Sequence, residues 1–163
     1  MKKSIFIFTL LFLTLNFACE SPDSSKPAGL DGWLDGHTDE KFETVAAQLR
    51  GFDVAMVETG YRYSELYWAG QDENWDYAKY QLEKIKLAME NGFVRRPKRA
   101  AAARQFLAES LPAMQQAVEA MDTALFRQNF RAITTSCNSC HAMEKVPFFQ
   151  VQPPTVRQSP IQK

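Results

Sequence analysis

The chain has 163 residues, about one domain at ~100–200 residues per domain. Its 19 Lys+Arg balance 19 Asp+Glu, which argues against a general nucleic-acid binder, and 45% apolar content argues against disorder of the whole chain. With 7 Gly and 8 Pro it is poor in the turns that an all-β sandwich needs every ~8–12 residues.

The first segment stands apart from the fold. Lys2 and Lys3 make a basic start, and Ile5 to Leu15 is an apolar run broken only by Thr9 and Thr14. The run is shorter than the ~20 apolar residues that span a bilayer, so residues 1–18 read as a secretory signal. It ends Leu15-Asn16-Phe17-Ala18-Cys19. A Cys directly after a small residue resembles a bacterial lipoprotein signal, in which that Cys is lipidated and becomes the new N-terminus. Asn16 departs from the aliphatic residue of that pattern, and the other reading is a soluble exported protein cleaved nearby. Residues 19–37 form a tether, because Glu20 to Gly29 is polar and rich in Pro and Ser. The expected location is the periplasmic side of a bacterial membrane, held by a lipid anchor.

Residues 38–151 read as the folded domain. Thr38 is the expected N-cap, with Asp39 and Glu40 in the first turn. Phe42, Val45, Leu49, Phe52, Met56, Tyr63 and Leu66 follow heptad spacing, with Thr59 as the one polar d position. The spacing predicts one helix over about 39–69, ended by Gly70. Asn74 caps a second helix with the stripe Trp75, Ala78, Leu82, Ile85 and Met89, and Asn91-Gly92 is its stop. After a loop from Phe93 to about Lys98, a short helical piece covers about 99–109. Pro112 then opens a helix to Met121, with Met114, Ala117, Val118 and Met121 inward.

Asp122 caps the fourth helix. Leu125, Phe126, Phe130, Ile133, Cys137 and Cys140/His141 lie on one face of it, and Pro147 ends it. Val146 to Val151 is the one run that could pair as a strand, and residues 152–163 read as a loose tail. Four helices with short connections and one apolar stripe each predict an all-α, antiparallel four-helix bundle.

Cys19 belongs to the signal, which leaves Cys137 and Cys140 in the run Cys137-Asn138-Ser139-Cys140-His141. This is the attachment pattern of a c-type haem. Two thiols add across the two vinyl groups of one porphyrin, and the next residue presents an imidazole to the iron. One covalent haem c is therefore the expected cofactor. The alternatives are a redox Cys-x-x-Cys pair or half of a zinc site. Zinc would want two more ligands, and beyond Cys19 the chain offers no other Cys and only His37. A thioredoxin-like pair opens a helix after a strand, whereas this pair lies late in a helix.

An export signal, four helices and Cys-x-x-Cys-His at the end of the fourth together resemble the cytochrome c′ superfamily, over about residues 39–145. Leu66-Tyr67-Trp68-Ala69-Gly70-Gln71-Asp72-Glu73-Asn74-Trp75 with Ala78 and Tyr80, and the Cys motif with Phe148-Phe149 and Pro153, resemble a branch of bacterial four-helix haem-binding proteins. The resemblance implies covalent haem on Cys137 and Cys140, His141 as proximal iron ligand, and a pocket closed by helix one. Family members often form homodimers, although no stripe of this chain demands one. They carry a basic residue in or just after the motif. Here Asn138 and Ser139 fill the motif, and Lys145 is the nearest candidate. The branch carries a His near position 63, where this chain has Tyr63.

Met56 and Tyr63 occupy successive a positions, so both face inward. A Met56 thioether opposite His141 would give a six-coordinate electron carrier; the plainer reading is a core gap-filler. Tyr63 reads as a distal hydrogen-bonding residue, a phenolate ligand, or a half-buried bundle tyrosine. Tyr61 lies off the stripe, and His37 precedes the helix. Trp68 and Trp75 flank the first turn as a staple of helices one and two. Arg95-Arg96-Pro97-Lys98-Arg99 is the one basic cluster, suited to an acidic redox partner, to haem propionates, or simply to solvent.

The expected function is a membrane-tethered c-type cytochrome that passes electrons to a partner protein in the cell envelope. It is not expected to be an enzyme, because the distal stripe has no His or Arg on its core face. The alternative is a five-coordinate haem protein that binds NO or CO. A weaker alternative is a thiol-redox or metal-binding exported helical bundle.

Overall fold

The computed structural model describes residues 25–162. The signal over 1–18, the lipidation expected at Cys19 and the first residues of the tether lie outside the described residues. Contacts group the described residues into two units that divide between Leu49 and Arg50.

In the first unit, Ala28 and Leu34 form an isolated antiparallel bridge with N–H···O bonds of 2.8 and 2.9 Å around a 3₁₀ turn, Leu30–Gly32. Helix α1 follows, Thr38–Gln48. Its N-cap is His37 rather than the expected Thr38. The His37 N–H donates to Glu40 Oε2 at 2.7 Å, which satisfies one of the donors a helix start leaves open.

The single helix expected over 39–69 is two helices. Arg50 takes a left-handed φ of 57°, and Gly51 is the N-cap of α2, Phe52–Gln71. Asp53 stabilises the break: its Oδ1 accepts the Gly51 N–H at 3.1 Å, and Oδ2 pairs with Arg50. The first half of the expected stripe is not buried. Phe42, Val45 and Leu49 are 69%, 39% and 54% exposed.

The second unit holds a four-helix bundle. It comprises α2, α3 (Trp75–Arg95), α4 (Leu111–Glu119) and α5 (Thr123–Met143), with a 3₁₀ turn at Pro97–Arg99 and a π turn at Phe106–Ser110 leading into α4. Asn74 Oδ1 accepts from the Tyr77 N–H, and Asp122 Oδ1 from the Leu125 N–H, as expected of these caps. Phe52 at the start of α2 stacks on Phe93 near the end of α3, at 5.2 Å, so these two helices run antiparallel. Between them the buried Glu65 carboxylate accepts from the Tyr77 hydroxyl at 2.7 Å. The core is led by Leu66, Ile85, Met114, Phe126 and Ile133, all fully buried, each stabilising by about 1.5–3 kcal/mol through burial.

Two glycines expected as helix stops serve packing instead. A Cβ on Gly70 would lie 2.0–2.6 Å from the Phe126 ring, and one on Gly92 2.8 Å from Ala55 and Phe52. Accordingly α2 runs on to Gln71 and α3 to Arg95. The region before α4 also differs from the expected short helix over 99–109. The widened π turn ends at Ser110, two residues before Pro112, whose ring and missing N–H disturb the α ladder.

Met121, expected inward, is 64% exposed with φ 54°, because α4 stops at Glu119 to free Asp122 as the next cap. No strand forms over 146–151. The tail beyond Gln152 has no regular structure, yet it is tied down: Arg157 makes two 2.6 Å bonds to the Asp72 carboxylate and lies 4.9 Å over the Trp68 ring. Trp75 meets Phe126 edge-on at 5.9 Å.

Candidate functional site

Helix α5 carries Phe126, Phe130 and Ile133 into the core, and the same face continues to Cys137 and Cys140. Spacing of three and four residues keeps these side chains on one side of the helix. Both thiols are free, and both pack against the core. His141 follows in the last turn. Ser139 points its hydroxyl back along the helix, donating to the Thr135 carbonyl at 2.9 Å.

Cys137, Cys140 and His141 line one cavity of about 100 Å³, together with Ser136 of the same helix. Met56, Thr59, Gly60 and Tyr63 of α2 form the facing wall. Met89 of α3, Phe106 of the π turn and Val151 complete it. The five residues singled out from the sequence in the folded domain thus meet at one place. Cys19 lies outside the described residues.

Burial pushes the Cys137 thiol up to about 12, with the neighbouring Cys140 adding to the rise. Burial also raises Cys140, against the lowering charge of Arg99. Both sulfurs are therefore held as thiols at neutral pH, the opposite of the lowered thiol of a disulfide exchanger. Burial likewise raises Tyr63, to about 12. Thr134 spends its own proton on the Phe130 carbonyl at 2.8 Å, so the Tyr63 hydroxyl donates to Thr134 Oγ1, at 2.7 Å.

The imidazole of His141 has a defined partner. Its Nδ1 lies 2.5 Å from the Phe149 carbonyl oxygen. A carbonyl can only accept, so Nδ1 carries a proton, and in the neutral ring the lone pair is left on Nε2. The chain reaches this position by turning back after α5 through Lys145, whose φ is 62°. Asn138 then holds Val151 by both backbone groups, accepting its N–H at 2.8 Å and donating to its carbonyl at 3.0 Å.

On the facing wall, the Thr59 hydroxyl is buried and has no hydrogen-bond partner within the protein. Gly60 is helical and exposed, and a Cβ there would meet nothing within 4 Å. A comparison with protein-family models, with curated proteins and with solved structures finds no match to this chain. The site is therefore read from its own chemistry. Among the described residues, no group of three or more His, Cys, Asp or Glu side chains is placed to hold a bare metal ion. Nor is any helix there long and apolar enough to cross a membrane.

Beside the site, Arg95, Arg96, Pro97, Lys98, Arg99 and Glu144 wall a cleft of about 540 Å³. Arg99 pairs with Glu144 and acts on Cys140, so the basic residue beside the motif is Arg99. Lys145, the candidate nearest in sequence, is an exposed turn residue.

Sequence reasoning missed Met89 as a second thioether at the cavity, Phe106, and the returning segment from Phe149 to Val151. Met89 was visible as an inward position of its stripe. Nothing local announces that residues 149–151 fold back onto α5.

Proposed function

We propose that the protein is a c-type cytochrome that holds one covalent haem and passes single electrons in the bacterial cell envelope. The observation that carries this reading is the meeting of Cys137, Cys140 and His141 at one cavity, with His141 Nδ1 committed to a backbone carbonyl. The donor set present suits a haem. Two protonated thiols one helical turn apart suit addition of each S–H across a vinyl group, with no change of oxidation state. An imidazole with a free Nε2 lone pair suits iron. The buried Thr59 hydroxyl lacks a partner in the protein, and the space at Gly60 is filled by no side chain.

When bound, the haem supplies the Fe(III)/Fe(II) couple. Cys137 and Cys140 would hold it as thioethers, and His141 Nε2 would be the proximal ligand. Met56 would be the first candidate for a second iron ligand, and Met89 brings another thioether to the same cavity. Tyr63 keeps its proton and acts as a hydrogen-bonding wall residue rather than a phenolate. The low-polarity lining favours the less charged, reduced iron. The basic cleft from Arg95 to Arg99 offers an acidic redox partner a surface beside Cys140. A lipid on Cys19 would keep the domain at the membrane.

A second reading is a five-coordinate haem protein that binds NO or CO. It is favoured by the open position at Gly60 and by the unpartnered Thr59 hydroxyl. The thiol-redox alternative is disfavoured by the raised thiols.

The visible spectrum of protein produced with haem-attachment machinery tests the reading. A low-spin spectrum that becomes high-spin in Met56→Ala supports the electron carrier with Met56 as ligand. A low-spin spectrum that changes only in Met89→Ala moves the ligand to Met89. A high-spin ferrous spectrum that shifts with CO favours gas binding. No haem band would remove both readings.

A further inference from the structure

We infer that Asn138, the first variable residue between the two cysteines, is a positioning residue for His141. It acts through the returning chain rather than by touching the ring. The inference rests on the haem reading only for its effect on iron; the positioning itself is a property of the polypeptide.

The segment after α5 has few means of staying where it is. It forms neither helix nor strand, and Phe148 and Phe149 are 72% and 59% exposed, so burial of these rings does not fix it. The backbone ties are short-range: the Val146 N–H donates to the His141 carbonyl at 2.9 Å, and the Phe149 N–H to the Val146 carbonyl at 3.0 Å. The side-chain ties are His141 itself, Val151, which packs against the core, and Asn138. Its amide pairs with both backbone groups of Val151, in the manner of a neighbouring strand. Val151, two residues beyond Phe149, is thereby pinned against the same helix that carries His141. The intervening chain is short, so pinning Val151 restricts where the Phe149 carbonyl can lie.

Asparagine suits this task because it carries one acceptor and two donors on a planar group. Aspartate could accept the Val151 N–H but not donate to its carbonyl. Serine is too short to do both. A hydrogen bond from Nδ1–H to a fixed carbonyl sets the tautomer and orientation of an imidazole and makes its other nitrogen a stronger electron donor. A residue inside the attachment motif, otherwise a spacer, thus reaches the ligand nitrogen by way of the strap.

The test compares Asn138→Ala, Asn138→Asp and Ser139→Ala, each checked for native helix content. Three quantities are read: amide exchange at Val151, the His141 tautomer from ¹⁵N shifts in the haem-free chain, and the reduction midpoint of the haem-loaded protein. In Asn138→Ala we expect Val151 exchange to rise by about tenfold or more, as befits the loss of a hydrogen-bonded pair. His141 should become a mixture of tautomers, and the midpoint should move to higher potential. Asn138→Asp should fall between, and Ser139→Ala should match the parent. Parent-like Val151 exchange and a single His141 tautomer in Asn138→Ala would overturn the inference. So would equal effects of Ser139→Ala. If the parent takes up no haem, the haem reading fails, while exchange and tautomer still decide the role of Asn138.

Discussion

The Tyr63 hydroxyl donates to Thr134 Oγ1 across the contact between α2 and α5, at 2.7 Å, and its ring stacks on Phe130 at 4.6 Å. The phenol is neutral in this setting, and burial raises its ionisation from about 10 to about 12. The unfolded chain therefore loses this proton first as pH rises. Between pH 10 and 12 the folded state binds more protons than the unfolded one, so its stability falls through that window. Cys137 acts in the same direction from about 9 to about 12. Urea unfolding of the haem-free protein should show full stability below pH 9 and a decline above it. At pH 11 the Tyr63 share is about 1 kcal/mol. Tyr63→Phe should cost about 1 kcal/mol at pH 7 and flatten the decline above pH 10. An unchanged slope in that variant would contradict the assignment.

The glycines of α2 make a contrast. Gly70 lets Phe126 approach the helix backbone, so Gly70→Ala should destabilise by about 1–3 kcal/mol through overpacking. Gly60 meets no protein atom, so Gly60→Ala should stabilise the haem-free chain by about 0.5–1 kcal/mol. Thermal unfolding of the two variants beside the parent checks both signs.

These glycines also mark what was legible in the chain. A cap acts on a donor two or three residues away, and Asn74 and Asp122 were readable for that reason. The i, i+3, i+4 pattern from Phe126 to Cys140 was readable because helical geometry alone brings it to one face. The break at Arg50 was hidden, since apolar residues continue from Leu49 to Phe52 while Asp53 and Gly51 reshape the backbone between them. Gly70 and Gly92 look like stops, but their neighbours, Phe126 and Phe52, are supplied by distant parts of the chain. The cavity itself was half visible. Its α2 and α5 walls follow from two stripes, whereas the Phe149 carbonyl and Val151 arrive by a return of the chain that only tertiary structure reveals.

The tail offers a separate test. Arg157 holds Asp72 by two hydrogen bonds and covers the Trp68 ring. Arg157→Ala should release residues 152–161, raising their amide exchange to the rate of an unstructured peptide, while exchange in α3 and α5 stays at the parent value. Hydrogen exchange read by mass spectrometry distinguishes this from a general loss of stability. Parent-like protection of the tail would show that another contact holds it.

The proposed function stands on haem carried by Cys137 and Cys140. The most direct measurement is the intact mass, under denaturing conditions, of the protein and of a Cys137→Ala/Cys140→Ala variant, both produced with haem-attachment machinery. The parent chain is expected to be heavier by one haem, and the variant to have none attached. A parent chain without covalent haem, or a variant that retains it, would show that these cysteines do not carry the group.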